Sequence, residues 1–343
     1  MTSSAPRPIR VMQSFAAVRP TTNPYLHMLD AALAATPGVE HLRLDRRRAL
    51  LGRYDALHLH WPETLLGGST PSRALARRAF ALALRIRLSI TPVALVRTAH
   101  NLGLPEGARG WDRRFLAWVE RRADHRILLN SHTPVPEGSG ATLIPHGHYV
   151  DWFAPMPQAA AEPGLLAYVG LIRPYKGVEG LLDAFAATGA EGGALRLRVA
   201  GSPTSPAIER EVRGRAAADP RVELDLRYLT EADFADTVTR SSGVVLPYRA
   251  MHNSGSVLAA LSLRRPVLVP AGPVVEALAD EVGPGWIRTF EGDLAADDLL
   301  RFAEAAASPP ASPPDLSARD WRDAGVAHRE AFRAAVAHRR AAR

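Results

Sequence analysis

A single lysine stands among 42 basic residues; the rest are arginine. It is Lys176, in the run Gly170-Leu-Ile-Arg-Pro-Tyr-Lys-Gly177, which follows the apolar segment 165–169 and precedes a helical pattern. A glycine-bearing turn between strand and helix aims backbone N–H groups and a helix N-terminus at its ligand, which suits an anion. Arg173 and Lys176 add side-chain charge. A compact ammonium acts on a phosphate as a point charge where a guanidinium fork is too wide. Solvated surface charge is the plainer reading of such residues. Lysine used only here favours a diphosphate site lined by Gly170, Arg173, Tyr175 and Lys176. A second turn of this kind follows the apolar run 243–246, where Tyr248, Arg249, His252, Asn253, Ser254, Gly255 and Ser256 lead into another helix. Asn and Ser also cap helices, but capping does not explain Arg249 and His252 in the same turn.

Proton acceptors gather in the first half. His58 and His60 share one face of a predicted strand, as two metal ligands would, but no third ligand completes the set. His58 reads as packing, and no metal or other cofactor is expected. His60, Glu63 and His100 fall just past strand ends, where open parallel sheets bind ligands. A carboxylate or neutral imidazole there takes the proton of an attacking hydroxyl. Glu63 leads as candidate base, since it follows the Trp61–Pro62 turn with no arginine evident to lock it. His100 comes next, and Glu106, on a Gly- and Pro-rich loop, is the reserve. Glu63 also fits a helix first turn, where it would only complement the macrodipole. His146 and His148 could reach the same region or be structural.

These residues need elements to hold them. Predicted strands at 9–14, 56–60, 93–98, 126–129 and 142–144 alternate with helices, and strands at 165–169, 195–200, 222–226, 243–246 and 266–269 repeat the theme. Alternation of this kind means parallel sheets with helices on both faces. At roughly 100–200 residues per domain, 343 residues argue for two domains. The expected division is an N-terminal Rossmann-like domain over 1–155 and a C-terminal one over 160–307. A Pro-rich linker and a helix over 308–343 would return to the first domain. The fold class is α/β, with both sets of strand-end loops facing one interdomain cleft.

Residues 1–150 hold 20 arginines against 10 acids, whereas the remainder is mildly acidic. The first half therefore suits nucleic acid, anionic lipid or an acidic substrate. No recognition motif or aromatic-basic interleaving supports nucleic acid. The absence of cysteine excludes disulfides and thiolate chemistry. No apolar run reaches 18 residues, and the N-terminal segment lacks a secretory apolar core, so a cytoplasmic protein is expected. In the helix 72–89, Leu75, Ala79, Leu82 and Ile86 form the predicted buried stripe. Phe80, Leu84 and Leu88 then face outward among arginines, as on a membrane-surface helix or under the C-terminal helix.

Taken together, the motifs resemble those of GT-B glycosyltransferases. TNPYL (22–26), RYDALHLHWPE (53–63), VRTAHNL (96–102), HGHYVDWF (146–153), GLIRPYKGVEGLLD (170–183), MHNSGS (251–256), LSLRRPVLVP (261–270) and DEVGPGW (280–286) are similar, in order and spacing, to the GDP-mannose:glycolipid 4-β-D-mannosyltransferases of xanthan-type exopolysaccharide assembly. The resemblance implies a GT-B fold and mannose transfer from GDP-mannose, without a metal. The acceptor would be a polyprenyl-diphosphate-linked oligosaccharide ending in glucuronic acid, attacked with inversion. The site would be peripheral on the inner face of the plasma membrane. The Glu-x7-Glu of retaining relatives finds no carboxylate anywhere in 251–260, and a family histidine is missing from Asn101-Leu-Gly-Leu-Pro-Glu106. A different nucleotide sugar, such as a UDP-sugar, is the alternative donor.

Overall fold

The computed structural model describes residues 7–343 except 20, 21, 69, 102, 104–107, 109, 250 and 254. The chain runs β1 (Ile9–Gln13), α1 (Pro24–Ala35), β2 (Val39–Leu42), α2 (Arg46–Leu51), β3 (Ala56–Leu59), α3 (Pro71–Ile90), β4 (Ala94–Ala99), α4 (Gly110–Arg122), β5 (His125–Leu128) and β6 (Gly140–Leu143). It continues through α5 (Val150–Phe153), β7 (Leu165–Val169), α6 (Val178–Ala187), β8 (Arg196–Ala200), α7 (Pro206–Ala216), β9 (Val222–Asp225), α8 (Glu231–Arg240) and β10 (Gly243–Val245). Then come α9 (Gly255–Ser262), β11 (Val267–Pro270), α10 (Pro273–Val282), β12 (Ile287–Phe290), α11 (Ala296–Ala306) and α12 (Trp321–Ala341).

Two units result: Met1–Gly147 with Arg319–Arg343, and His148–Ala318. The first holds a parallel sheet in the order β2-β1-β3-β4-β5-β6, the second one in the order β12-β11-β10-β7-β8-β9. The units divide at 147/148, ahead of the expected 155–160, because Tyr149 and Phe153 pack into the second core and the Tyr149 N–H donates to Ser262 Oγ at 2.9 Å. The Pro-rich stretch also stays with the second unit: Leu316 is buried there, and the Asp315 N–H donates to the Val282 carbonyl. The edge strands β2 and β12 were not predicted. Each is four residues long with its middle largely exposed, so neither carries a continuous apolar run.

In the first unit, α1 and α12 cover one face of the sheet, packing Leu29, Leu33, Phe332 and Ala335 against Val11, Val96 and Ile127. The other face meets α3 and α4 through Leu57, Leu95, Leu84, Leu88, Phe115 and Val119. Here α3 corrects the expected orientation. Phe80, Leu84 and Leu88 are buried, while Leu75, Leu82, Ile86 and Ile90 are 44–70% exposed. The arginines that suggested an outward face instead rim the buried stripe and reach back. Arg87 donates to the Leu50 and Gly52 carbonyls and Arg77 to those of Thr64 and Gly67. Long arginine stems cover apolar surface while their heads find acceptors. Among the described residues no helix is long and apolar enough to cross a membrane.

In each sheet the strand order reverses beside its first strand, between β1 and β3 and between β7 and β10. A crevice opens at such a switch point outside the carboxyl ends of the strands. In the first unit histidines cluster around β3 and the end of β4. His58, His60, His100, His146 and His328 are all buried. His58 Nε2 meets Thr98 Oγ1 at 2.7 Å, and His60 bridges Gln13 Oε1 at 3.2 Å and His100 Nε2 at 3.3 Å. His328 Nδ1–H donates to the Ala324 carbonyl at 2.7 Å. Burial holds all five rings below the ordinary imidazole range, His146 and His328 at about 4.

That arrangement makes stability pH-dependent. The unfolded chain takes up protons at these rings near pH ~6.5 and the folded chain does not. Stability is therefore full above ~6.5 and is lost as pH falls from there toward ~4. Each ring contributes about 1.4 kcal/mol per pH unit within that window. Thermal melts should show a nearly constant midpoint at higher pH and a steep decline below ~6.5. His328→Leu, which removes one ring, should make the decline shallower. A midpoint indifferent to pH down to ~5 would mean that these rings are hydrated.

Candidate active site

The switch point of the second unit carries the predicted anion site. β7 is buried along its whole length and ends at Gly170, whose φ is 124°. A Cβ on Gly201, at the end of β8, would lie 1.9 Å from the Gly170 carbonyl oxygen, so these two strand ends meet backbone to backbone. The chain then makes a short 3-10 turn, Pro174–Lys176, and enters α6 through Gly177. Gly177 has φ 66°, and a Cβ there would come within 2.1 Å of the Pro247 carbonyl oxygen. The residue must be glycine on both counts: left-handed φ and absent side chain. A second tie joins the loops, since the Arg249 N–H donates to the Tyr175 carbonyl at 3.0 Å.

Those contacts gather Gly170, Tyr175, Lys176, Tyr248, Arg249 and Ser256 around the ends of β7 and β10. A Cβ on Gly170 would be 3.9 Å from Ser256 Oγ, in the first turn of α9. Lys176 Nζ lies 3.7 Å from the centre of the Tyr248 ring and donates to its hydroxyl. Burial first, then the neighbouring Arg173 guanidinium, push the lysine down to about 7. Among the described residues no carboxylate pairs with it, so a half-buried cation waits without a counterion. Arg249 differs, because its guanidinium is held by Glu179 at 2.8 Å. Arg173 is exposed at the head of the turn, and His252 and Asn253 are half-buried in the loop before α9. Ser254 lies outside the described residues.

In the first unit the candidate bases have different surroundings. Glu63 sits in a 3-10 turn, Pro62–Leu65, after Trp61. Its side chain is half-exposed, and among the described residues no ion pair engages it. His100 is buried, with Trp61 stacked on it at 4.0 Å between ring centres, and its Nε2 meets His60. Burial, followed by His146, lowers its basicity. A weakened, enclosed imidazole is a poor proton acceptor for a substrate hydroxyl, whereas Glu63 remains accessible. Glu106 falls outside the described residues. No group of three or more His, Asp or Glu among the described residues is placed to hold a metal ion.

Sequence reasoning missed the aromatic side chain at the centre of this cluster. Tyr25 touches His100, His146 and Trp321, with ring centres 5.2, 4.7 and 5.4 Å away. Trp321 lies so close over Gly147 that a Cβ there would meet it at 2.3 Å. The motifs around Tyr25, His146–Gly147 and Trp321 thus converge, although they are far apart in sequence.

No established family profile matches the chain. The chain is 43% identical, over 328 residues, to the GDP-mannose:glycolipid 4-beta-D-mannosyltransferase of Xanthomonas campestris pv. campestris, which covers 95% of this chain and 92% of the relative. A protein of the same name from a further strain of that pathovar matches at the same identity and coverage. Among solved structures, AviGT4, a glycosyltransferase involved in avilamycin A biosynthesis, superposes with a TM-score of 0.59 at 16% identity, covering 96% of this chain and 98% of that one. Anabaena HepE, in complex with UDP and glucose, gives 0.58 at 14% identity, covering 97% and 98%. At those identities the structures establish the fold, GT-B, while the sequence match over nearly the whole length establishes the family. The chain is a GT-B glycosyltransferase and belongs to the family of the GDP-mannose:glycolipid 4-β-D-mannosyltransferases.

Proposed function

We propose that the protein transfers mannose from GDP-mannose to a glycolipid, a polyprenyl-diphosphate-linked oligosaccharide of exopolysaccharide biosynthesis, with inversion at the anomeric carbon. The observation that carries this reading is Lys176 at the β7/β10 switch point, against Tyr248 and with no carboxylate partner among the described residues. The name of the Xanthomonas relative supplies the donor and the class of acceptor. In this mechanism the acceptor hydroxyl oxygen attacks the anomeric carbon as the bond to GDP breaks. The electron pair leaves with the diphosphate, and the hydroxyl proton passes to a base. Lys176, Arg173 and the N-terminal turn of α9 stabilise the departing negative charge. Glu63 is the base, since an accessible, unpaired carboxylate is available for the proton.

The protein would work peripherally on an anionic membrane, at the cytoplasmic face. The face that supports this is the corrected one. Leu75, Leu82, Ile86 and Ile90 make an exposed apolar stripe along α3, on the unit in which arginine outnumbers acid. An amphipathic helix of this composition lies in the headgroup region with its apolar stripe inserted.

Four outcomes test the reading. GDP-mannose should raise the melting temperature and UDP-sugars should not. Lys176→Ala should weaken GDP by about 10- to 150-fold, the equivalent of losing a charge-assisted contact of ~1.5–3 kcal/mol, and an unchanged dissociation constant in a folded variant would remove the lysine from the site. Glu63→Gln should lower turnover ~10²–10⁴-fold with donor affinity retained; near-normal turnover would pass the role to another group. For the membrane, wild type should sediment with anionic vesicles and be released by salt, whereas Leu82→Asp with Ile86→Asp should stay in solution and still bind GDP. Equal sedimentation of the two proteins would leave α3 without that role.

A further inference from the structure

We propose that Tyr248 is the positioning residue for Lys176, and that an entering diphosphate is accompanied by proton uptake at that lysine, so that donor binding is proton-linked. The inference rests on the donor reading above and adds to it. Tyr248 is buried, and its backbone N–H donates to the Leu246 carbonyl at 2.8 Å, which fixes the ring directly after β10. The ring covers the lysine Nζ at 3.7 Å and the hydroxyl accepts a hydrogen bond from it, while the Tyr175 ring lies 5.6 Å away on the lysine's own turn. The phenol oxygen and the ring face favour the ammonium, but both are neutral groups and bring no counter-charge to Nζ.

The titratable groups around the lysine are few. Arg173 and Tyr175 lie on its turn, Tyr168 on β7, Glu179 on α6, and Tyr248 and Arg249 after β10. His252 stands further along the same loop. Glu179, the one carboxylate of this set, is taken by Arg249 at 2.8 Å. Desolvation and Arg173 therefore push Nζ down to about 7, with no opposing negative charge among the described residues. A diphosphate reverses that balance. It brings negative oxygens to Nζ, which takes one proton from solvent and becomes a full ammonium. Tyr248 keeps the side chain aimed at the strand-end crevice in the meantime.

The test is calorimetric titration with GDP-mannose, whose phosphates are both esterified and do not titrate near neutral pH. For wild type, the dissociation constant should be flat below pH ~6 and rise toward tenfold per pH unit above ~7. The heat at pH ~7 should vary with buffer ionisation enthalpy as expected for about half a proton taken up. Lys176→Arg cannot lose its proton and should abolish the bend. Tyr248→Phe keeps the ring but loses the acceptor. Its bend should move to lower pH, with affinity several-fold weaker at pH ~8 and near wild type at pH ~6. A wild-type profile that is flat across this range overturns the linkage, even if Tyr248→Phe does not fold. A Tyr248→Phe profile superimposed on wild type overturns the positioning role. Failure of wild type to bind GDP-mannose at any pH would instead remove the donor reading on which the inference rests.

Discussion

The strand-end loops of the second unit depend on two chain segments meeting with nothing between them. Gly177 lies against the Pro247 carbonyl so closely that a methyl group would overlap it, and its left-handed φ turns the chain into α6 at that point. Any other residue would meet both the clash and the cost of that conformation. Because the loops after β7 and β10 touch here, Lys176 from one is delivered under Tyr248 of the other. The parallel sheet makes such a meeting available, since its order reverses between those two strands. The glycine converts a general property of the fold into a particular pair of side chains.

Desolvation then acts on both units with opposite consequences. In the first, it keeps His58, His60, His100, His146 and His328 neutral, so they pack as polar rings among Tyr25, Trp61, Trp321 and Phe332. Neutral imidazoles can serve as donor on one side and acceptor on the other, which lets His60 bridge Gln13 Oε1 and His100 Nε2 inside the core, while Gln13 Nε2 finds no partner among the described residues. In the second unit, the same physics, with the Arg173 guanidinium, pushes Lys176 down to about 7. The same burial thus neutralises a packed cluster in one unit and weakens a single base in the other.

What the sequence disclosed followed from what each signal measures. Strand and helix alternation gave the two parallel sheets, and the rarity of lysine pointed to Lys176 because a chemical choice is visible as a letter. Depth is not visible in that way. His100 and Glu63 both follow strands, and the sequence ranked them only by the absence of a nearby arginine; Trp61 stacks on His100 while Glu63 stays half-exposed. In α3 two apolar stripes have nearly the same spacing, and periodicity alone does not choose between them. The choice belongs to the sheet, which accepts Phe80, Leu84 and Leu88, and to acceptors from distant segments that receive Arg77 and Arg87. The division near residue 148 was likewise out of reach, because it is set by which core Tyr149 and Phe153 enter. Glu106 and Ser254 lie outside the described residues.

The arginine excess itself has a structural explanation that removes much of its force as a sign of nucleic acid. Helix ends and loops leave carbonyls without partners, and here guanidinium forks collect them. The Leu88 carbonyl, near the end of α3, accepts from Arg122 at 3.1 Å and from Arg339 of α12 at 3.3 Å. Arg221 reaches the carbonyls of Phe185, Gly189 and Gly192 after α6, and Arg265 those of Thr239 and Ser241 after α8. One fork with five donors can close several such gaps at once, which an ammonium on a flexible stem does less well. A chain built on that device has reason to use arginine nearly everywhere. The exception, Lys176, sets a single compact amine against the Tyr248 ring and hydroxyl, beside the tight turns of Gly170 and Gly177.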